Sequence, residues 1–274
     1  MVERGKGQAG RLQRQHELTG GPVGIFGELA RRHDLAVGIV MSKLAKELES
    51  RLPNLSFRHR LQISKKEVND KLESVDATLG QVLFVENASI KPDGGVIEVR
   101  DSRGNYRVVL VGESKHQGND VEKIQAGIKQ GKNKDQDLMV AGNAIERVHK
   151  NIQEFRNLML DEAHFPYVVF LQGSNFSTET FQVETPDGRA VTIAHDAGNM
   201  NRIDRVTASS YGMEINRNYC RNAYVELDDH TQMLQAASLY FQAEPWSASD
   251  MAEILWDIAR TSLDVLSGDL VEEA

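Results

Sequence analysis

The feature that most constrains the fold is a pair of apolar segments separated by a long amphipathic pattern. Residues 108–111 (Val-Val-Leu-Val) and 166–171 (Pro-Tyr-Val-Val-Phe-Leu) are runs of strand length. The second is apolar throughout, which is typical of a buried parallel strand. Between them, apolar residues recur at helical spacing from about 144 to 160. Strands joined by such a crossover helix predict an α/β or α+β domain around a mixed sheet.

Further periodicities place other strands and helices around this centre. Runs rich in β-branched residues, separated by turns that contain glycine, predict an antiparallel meander at 81–85, 96–99 and 106–113. Two more strands are predicted at 189–193 and 223–227. Helical spacing predicts helices at 25–30, 37–48, 64–72, 121–130, 203–210, 232–242 and 249–266. The helix at 64–72 opens with Ser-Lys-Lys-Glu, a capping-box pattern.

The chain is expected to form one domain, residues 21–274, preceded by a basic, mobile arm at 1–20. No internal repeat or long linker divides the 274 residues. No apolar run approaches the ~18–20 residues of a membrane span, and no apolar signal segment follows the basic first residues. Cys220 is the only cysteine, which excludes an intramolecular disulfide and a cysteine-based zinc site. Together these features predict a cytoplasmic protein.

The net charge of −8 is unfavourable for a nucleic-acid-binding protein, but the charge is unevenly distributed. Residues 221–274 contain eleven acidic residues and two arginines, whereas residues 1–71 contain 14 basic and 8 acidic residues. The chain is therefore an acidic C-terminal region joined to a neutral-to-basic body. Because polyanion binding depends on Lys and Arg, this distribution permits DNA binding without indicating it.

One set of side chains suits the metal-dependent hydrolysis of a phosphodiester. Pro92-Asp93 precedes one predicted strand, and Glu113-Ser114-Lys115 ends the next. Residues i and i+2 of a strand share a face, so Glu113 and Lys115 should point to the same side, with Asp93 brought beside Glu113 by the hairpin. Carboxylates and carbonyls are the ligands that Mg²⁺ prefers. A lysine beside them can orient the attacking water or offset charge in the transition state.

The pattern alone leaves a second interpretation open. Glu-x-Lys is short enough to arise by chance, and a salt-bridged sheet edge that needs no metal would have the same sequence. The motif occurs once here, and Pro186-Asp187 follows it instead of preceding it. The eight histidines contain no His-x-x-x-His pair and no HNH-type cluster. Only one ordered arrangement of a nuclease motif is therefore available.

The surrounding sequence resembles a known enzyme family. Ser-Ile-Lys-Pro-Asp-Gly-Gly at 89–95 and Val-Val-Leu-Val-Gly-Glu-Ser-Lys-His-Gln-Gly at 108–118 are similar to the EcoRI-type type II restriction endonucleases of the PD-(D/E)xK superfamily. Shorter matches follow in the same order along nearly the whole chain, at 24–27, 33–38, 135–139, 141–147, 164–167, 173–176, 201–202, 204–205 and 233–238. The resemblance implies that Asp93, Glu113 and Lys115 are catalytic, with Asp93, Glu113 and the backbone carbonyl of Ser114 as metal ligands.

A second set of residues suits the reading of DNA bases. Residues 139–144 (Met-Val-Ala-Gly-Asn-Ala) lack large side chains from 141 onward, so an extended backbone there could approach base edges. Asparagine can bond adenine, and the helix N-terminus that follows favours a phosphate. A plain loop before a helix would look the same. The resemblance implies base contacts from Met139, Ala141, Gly142, Asn143, Ala144, Glu146, Arg147, Arg202 and Arg205, and phosphate contacts from Lys91, Lys150 and Asn151.

For the whole molecule, the resemblance implies an α/β restriction-endonuclease fold with a mixed, five-stranded central sheet flanked by helices. It also implies a homodimer that cleaves double-stranded DNA at GAATTC, after the G, with Mg²⁺ and without a nucleotide cofactor. Two alternatives remain open at this point. One is another PD-(D/E)xK nuclease that acts in repair or junction resolution. The other is a DNA-binding dimer that has the fold but no catalysis.

Overall fold

The computed structural model describes residues 28–80, 87–118, 120–127, 141–193 and 203–270. Side chains are described for these residues except at 28–34, 120, 122–123 and 141–144. The proposed arm at 1–20 and the strand predicted at 81–85 lie outside the described residues. No helix in the described part of the chain is long and apolar enough to cross a membrane.

The described elements follow one another along the chain as an α/β arrangement. The helices are α1 (Glu28–Arg51), α2 (Lys65–Val75), α3 (Asp120–Gln125), α4 (Ala141–Leu158) and α5 (Ala248–Leu270). The strands are β1 (Phe57–Arg60), β2 (Ile63–Ser64), β3 (Ser89–Ile90), β4 (Gly95–Arg100), β5 (Tyr106–His116), β6 (Tyr167–Gln172), β7 (Phe181–Glu184), β8 (Ala190–Ile193), β9 (Ala223–Glu226), β10 (Thr231–Leu234) and β11 (Ser238–Gln242). Residues 203–207 are helical and run into a 3-10 turn, Ala208–Ser210.

The central sheet has five strands in the order β1-β4-β5-β6-β11. The β1–β4 and β4–β5 pairs are antiparallel, whereas β5–β6 and β6–β11 are parallel. This confirms the mixed five-stranded sheet and the parallel strand predicted at 166–171. Helix α4 lies between β5 and β6 in the chain and is the crossover helix that a parallel pair requires.

Each face of the sheet is covered by a separate apolar cluster. On one face α1 and α5 pack together through residues such as Met41, Leu255 and Ile258. On the other face α4 buries Ile145, Val148, Ile152 and Phe155 against the sheet, the stripe expected from its periodicity. Alternate residues of β6 serve the two clusters, which explains why that strand is apolar at every position.

Several boundaries differ from the sequence predictions. The helix predicted at 232–242 is wrong: this segment forms β10 and β11. Its Leu, Gln and Ala residues favour a helix, but β11 gains a parallel backbone ladder along β6 that outweighs this weak preference. The two helical patterns at 25–30 and 37–48 belong, from residue 28 onward, to the single helix α1. The helix predicted at 121–130 ends at Gln125, and residues 128–130 lie outside the described part.

The capping box predicted for α2 is present. Ser64 Oγ accepts a hydrogen bond from the backbone N–H of Glu67, and a carboxylate oxygen of Glu67 accepts one from the backbone N–H of Ser64. The same carboxylate accepts a hydrogen bond from Arg60 on β1. The cap therefore fixes both the start of α2 and its position beside the central sheet.

Candidate active site

A tight turn places Asp93 beside strand β5. The backbone N–H of Gly94 donates to the carbonyl of Gly112 at 2.9 Å, which joins the turn to β5 one residue before Glu113. Gly95 has a φ of +76°, and a Cβ there would lie 2.4 Å from the carbonyl oxygen of Arg60. Only glycine suits that position. The two glycines thus direct Asp93 toward the end of β5.

The structure brings Asp93, Glu113 and Lys115 into direct contact. The ammonium of Lys115 donates to Asp93 Oδ2, lies 2.6 Å from Glu113 Oε1 and donates to the carbonyl of Ser114 at 2.8 Å. The backbone N–H of Ser114 also reaches Asp93 Oδ2, at 3.3 Å. Three oxygen atoms from three residues therefore surround one cation.

Glu113 is almost completely buried, with 1% of its surface exposed, and the fold supplies donors to its second oxygen. Glu113 Oε2 accepts hydrogen bonds from the Tyr167 hydroxyl at 2.8 Å and from the Asn151 side-chain amide at 3.0 Å. Burial raises the pKa of Glu113, and the positive charge of Lys115 opposes this shift. Burial also opposes a charge on Lys115, but the carboxylates of Glu113 and Asp93 outweigh it and raise the pKa of the lysine.

The donor set is suited to a hard divalent cation. Asp93, Glu113 and the Ser114 carbonyl offer oxygen ligands only, and these oxygens already converge on the position of the Lys115 ammonium. The site has only two acidic side chains, and the described residues contain no cluster of three or more His, Cys, Asp or Glu side chains that could hold a metal ion. A metal here would be held by the two carboxylates and a backbone carbonyl, with water completing the coordination, as Mg²⁺ commonly accepts.

Helix α4 carries several of the candidate DNA-reading residues. Glu146, Arg147 and Lys150 are exposed on it. Arg205, from the helical segment at 203–207, is also exposed, and its guanidinium lies 3.9 Å from Glu146 Oε1. Two candidates for base contacts from separate elements are thus neighbours in space. Lys91 is exposed at the start of the turn that carries Asp93.

Other candidates are placed differently from expectation or lie outside the described part. The extended segment expected at 141–144 is wrong, because α4 already begins at Ala141. The alanines at 141 and 144 have the highest helix propensity of any residue, and these positions form the first turn together with Gly142 and Asn143. Met139 and Arg202 lie outside the described residues. Asn151, a candidate for a phosphate contact, donates a hydrogen bond to Glu113.

Two polar residues of the site were not found from the sequence. The sequence pattern places Tyr167 only within an apolar strand, although a buried tyrosine hydroxyl needs a partner and is a signal for a polar neighbour. His149 bridges α4 to the segment that carries Arg205. Its Nε2 lies 2.7 Å from the Arg205 carbonyl and its Nδ1 lies 2.8 Å from Ser209 Oγ. The hydrogen bonds of His149 thus fix helix α4 and the segment that carries Arg205 relative to each other.

Comparison with known proteins identifies the family. The family described as "Restriction endonuclease EcoRI" matches residues 19–273 of this chain. The type II restriction enzyme RsrI of Cereibacter sphaeroides is 60% identical over 267 residues, which cover 97% of this chain and 96% of that enzyme. The type II restriction enzyme EcoRI of Escherichia coli is 53% identical over 270 residues, 98% of each chain. The chain therefore belongs to the EcoRI family of type II restriction endonucleases.

Proposed function

We propose that this enzyme is a homodimer that cleaves double-stranded DNA at the palindrome GAATTC, after the G, in a reaction that depends on Mg²⁺. The observation that carries the proposal is the convergence of Asp93, Glu113 and the Ser114 carbonyl on the Lys115 ammonium. Two relatives, 60% and 53% identical, are named type II restriction enzymes. Cys220, the single cysteine, is buried and free, as suits the reducing cytoplasm in which we place the enzyme.

The position of helix α4 supports a link between base reading and cleavage. Asn151 on α4 contacts Glu113, and the exposed Arg147 lies four residues earlier on the same helix. Residues four apart share a helix face at a separation of about 5–6 Å. A DNA duplex that contacts Arg147 and Lys150 is thus held by the same rigid element that touches the candidate catalytic carboxylate. Correct base contacts would then bring the scissile phosphate to Asp93 and Glu113.

The residues of the site have separate roles in hydrolysis. Asp93, Glu113 and the Ser114 carbonyl would hold Mg²⁺, which would supply a Lewis acid for the activation of water and the neutralisation of phosphate charge. Lys115, as an ammonium, offsets negative charge that develops on the attacked phosphate. The water oxygen bonds to phosphorus as the bond to the 3′-oxygen breaks. The water proton passes to solvent and the 3′-oxygen takes a proton, which leaves a 5′-phosphate and a 3′-hydroxyl.

A palindromic target accounts for the dimer in this proposal. A twofold-symmetric protein presents identical surfaces to the two half-sites of a palindrome, with one active site for each strand. Double-strand cleavage then requires two copies of the site described above. Sedimentation of the protein alone should give twice the mass of the single chain, and with duplex it should give that mass plus the mass of one duplex. A monomer in both conditions would contradict this part of the proposal.

The cleavage reaction itself is tested with a plasmid that contains one GAATTC site. We expect a single cut with Mg²⁺, no cut with EDTA, and sequenced ends that begin with AATT and carry a 5′-phosphate. Glu113→Gln should lower the single-turnover rate by orders of magnitude while it preserves metal-free binding to the duplex. Glu214→Gln removes an exposed carboxylate paired with Arg217 and serves as the control. Wild-type cleavage by Glu113→Gln, or cuts at unrelated sequences, would refute the proposal.

A further inference from the structure

The two oxygens of Glu113 have different surroundings. Oε1 faces the ammonium of Lys115, at 2.6 Å, and is the oxygen directed at the candidate cation site. Oε2 faces the interior, where it accepts from Tyr167 at 2.8 Å and from Asn151 at 3.0 Å. The carboxylate is therefore anchored through one oxygen and presented through the other. Its orientation depends on whatever holds Oε2.

Tyr167 is itself held rigidly. It is fully buried, and its ring stacks on Phe165 at 5.9 Å and meets the edge of Phe155 at 5.4 Å between ring centroids. Its backbone is fixed by the sheet, because Tyr167 pairs with Val111 in the parallel β5–β6 ladder, two residues before Glu113. Successive pairs along a ladder place i and i+2 on one face. The hydroxyl of Tyr167 thus approaches Glu113 from a neighbouring position on the same face of the sheet.

The two residues that donate hydrogen bonds to Glu113 Oε2 belong to different elements, one exposed to solvent and one buried. Asn151 belongs to α4, whose exposed side chains are candidates for contact with DNA, and Asn151 is itself a candidate for a phosphate contact. Tyr167 belongs to strand β6 of the central sheet and is 0% exposed, so it has no surface to offer to DNA. If Asn151 contacts a phosphate, Tyr167 is the donor that remains on Oε2.

We propose that Tyr167 is a positioning residue that orients Glu113, so that Oε1 is presented to the divalent cation. This inference rests on the proposed function, since it assumes that Glu113 binds the metal. Tyr167 acts through Glu113 and does not touch substrate. Partners that orient metal-binding carboxylates in this way commonly change metal affinity or activity by about 10–100-fold when they are removed.

The test uses the full-length protein bound to a GAATTC duplex. Tyr167→Phe removes only the hydroxyl and keeps the ring that packs against Phe155 and Phe165. The control is Tyr240→Phe on β11, a buried tyrosine that packs against Phe170 on the opposite face of the sheet. Three quantities are measured: the affinity of the complex for Ca²⁺ by titration calorimetry, the Mg²⁺ concentration that gives half-maximal single-turnover cleavage, and metal-free duplex binding.

We expect Tyr167→Phe to weaken Ca²⁺ binding and to raise the half-maximal Mg²⁺ concentration, each by about 10–100-fold. Metal-free duplex binding should stay within twofold of wild type, and Tyr240→Phe should match wild type in all three measurements. A purely structural role would not produce this split. An equal loss of metal-free duplex binding, together with a lower melting temperature than that of Tyr240→Phe, would show that the hydroxyl only stabilises the fold.

A parallel measurement on Glu113→Gln separates this inference from the proposed function. If Glu113→Gln is inactive while Tyr167→Phe binds Ca²⁺ and responds to Mg²⁺ within twofold of wild type, the role of Tyr167 is refuted and the metal site stands. If Glu113→Gln cleaves at the wild-type rate, the proposed site itself is refuted, and the inference on Tyr167 is refuted with it.

Discussion

At the residue scale, the geometry around Asp93 depends on a single backbone conformation. Gly95 adopts a φ of +76°, and the carbonyl oxygen of Arg60 occupies the space that a Cβ would need. Gly94 is held against Gly112 by a hydrogen bond of 2.9 Å. The Pro-Asp-Gly-Gly sequence thus encodes the turn as well as the carboxylate. This explains why the position of Asp93 beside Glu113 could be anticipated from the order of residues along the chain.

Gly95→Ala should lower the free energy of unfolding by more than about 1–2 kcal/mol, the usual cost of a left-handed conformation in a residue with a Cβ. The overlap at 2.4 Å with the Arg60 carbonyl adds to this cost, because backbone atoms cannot move aside easily. Gly268→Ala is the matched control, since it lies inside α5 with nothing within 4 Å of its added Cβ. It should raise the free energy of unfolding by about 0.5–1 kcal/mol. Urea denaturation measures both, and equal effects would contradict the argument.

Other residues of the site could not be anticipated, for a physical reason. Tyr167 and Asn151 meet Glu113 only because β6 pairs in parallel with β5 and α4 packs on the same face. Their contacts with Glu113 span 54 and 38 residues of sequence. No local pattern encodes such distances. A buried tyrosine in an apolar run indicates that a partner exists, but not which one.

At the element scale, periodicity predicted buried faces better than it predicted element types. The buried face of α4 was predicted correctly, because four apolar residues at helical spacing lie on one side of the segment only if it is a helix. The helix prediction at 232–242 was wrong because Ser238–Gln242 forms its backbone hydrogen bonds with β6, a partner about seventy residues away in the sequence. Tyr240 and Phe241 favour a strand, whereas the Leu, Gln and Ala residues that precede them favour a helix. The conformation of this segment is decided by its pairing with the central sheet.

The bridge between α4 and the Arg205 segment leads to a prediction at this scale. His149→Ala removes the hydrogen bonds to the Arg205 carbonyl and to Ser209 Oγ, each worth about 0.5–1.5 kcal/mol. Arg205 then loses its fixed position beside Glu146, so discrimination between GAATTC and singly substituted sites should fall. Gln153→Ala, an exposed change one turn further along α4, is the control and should keep the wild-type ratio. The measurement is the ratio of the binding constants for GAATTC and for singly substituted duplexes. An unchanged ratio for His149→Ala would show that these hydrogen bonds do not contribute to recognition.

At the scale of the whole molecule, one buried histidine should make stability depend on pH. His164 is 0% exposed, with Nε2 2.9 Å from the Val108 carbonyl and Nδ1 3.8 Å from Glu162. Burial lowers the pKa of His164 below its ordinary value of 6.5 and outweighs the Val108 carbonyl and the Glu162 carboxylate, which both raise it. The nearby positive charge of Arg107 acts in the same direction as burial. The unfolded chain therefore binds the proton first as the pH falls. The contribution of this histidine is complete above pH 6.5 and is lost below it.

Wild-type protein should lose stability between pH 7.5 and 5.5, by no more than about 1.4 kcal/mol per pH unit from this one proton. His164→Gln should be less stable at pH 7.5 but should show a flatter pH dependence. His230→Gln, at an exposed position in the loop between β9 and β10, is the control and should keep the wild-type slope. Denaturation curves at several pH values measure the slopes, and equal slopes for wild type and His164→Gln would exclude His164 as the source.

The distribution of charge over the folded molecule reconciles the net charge of −8 with DNA binding. The acidic helix α5, with one arginine and five acidic residues, packs on the face of the sheet that α1 shares. Helix α4, with Arg147 and Lys150 exposed, covers the opposite face. A helix is about 10–12 Å across, so the sheet and its helices separate these charges by more than the Debye length of about 8 Å at physiological salt.

Specific binding should accordingly weaken steeply with salt in spite of the negative net charge. Each phosphate that is neutralised adds about −0.9 to the slope of log K against log salt concentration. Roughly six to ten such contacts from two subunits would give a slope of about −5 to −9.

Lys150→Gln should flatten that slope by about 2 in a dimer, since two phosphate contacts are lost. Glu253→Gln on α5 removes a charge of the opposite sign from the far face and should leave the slope unchanged. Equilibrium binding at a series of salt concentrations measures all three proteins. A slope near zero for the wild type would contradict the phosphate contacts, and an equal effect of the two variants would contradict the separation of charge between the faces.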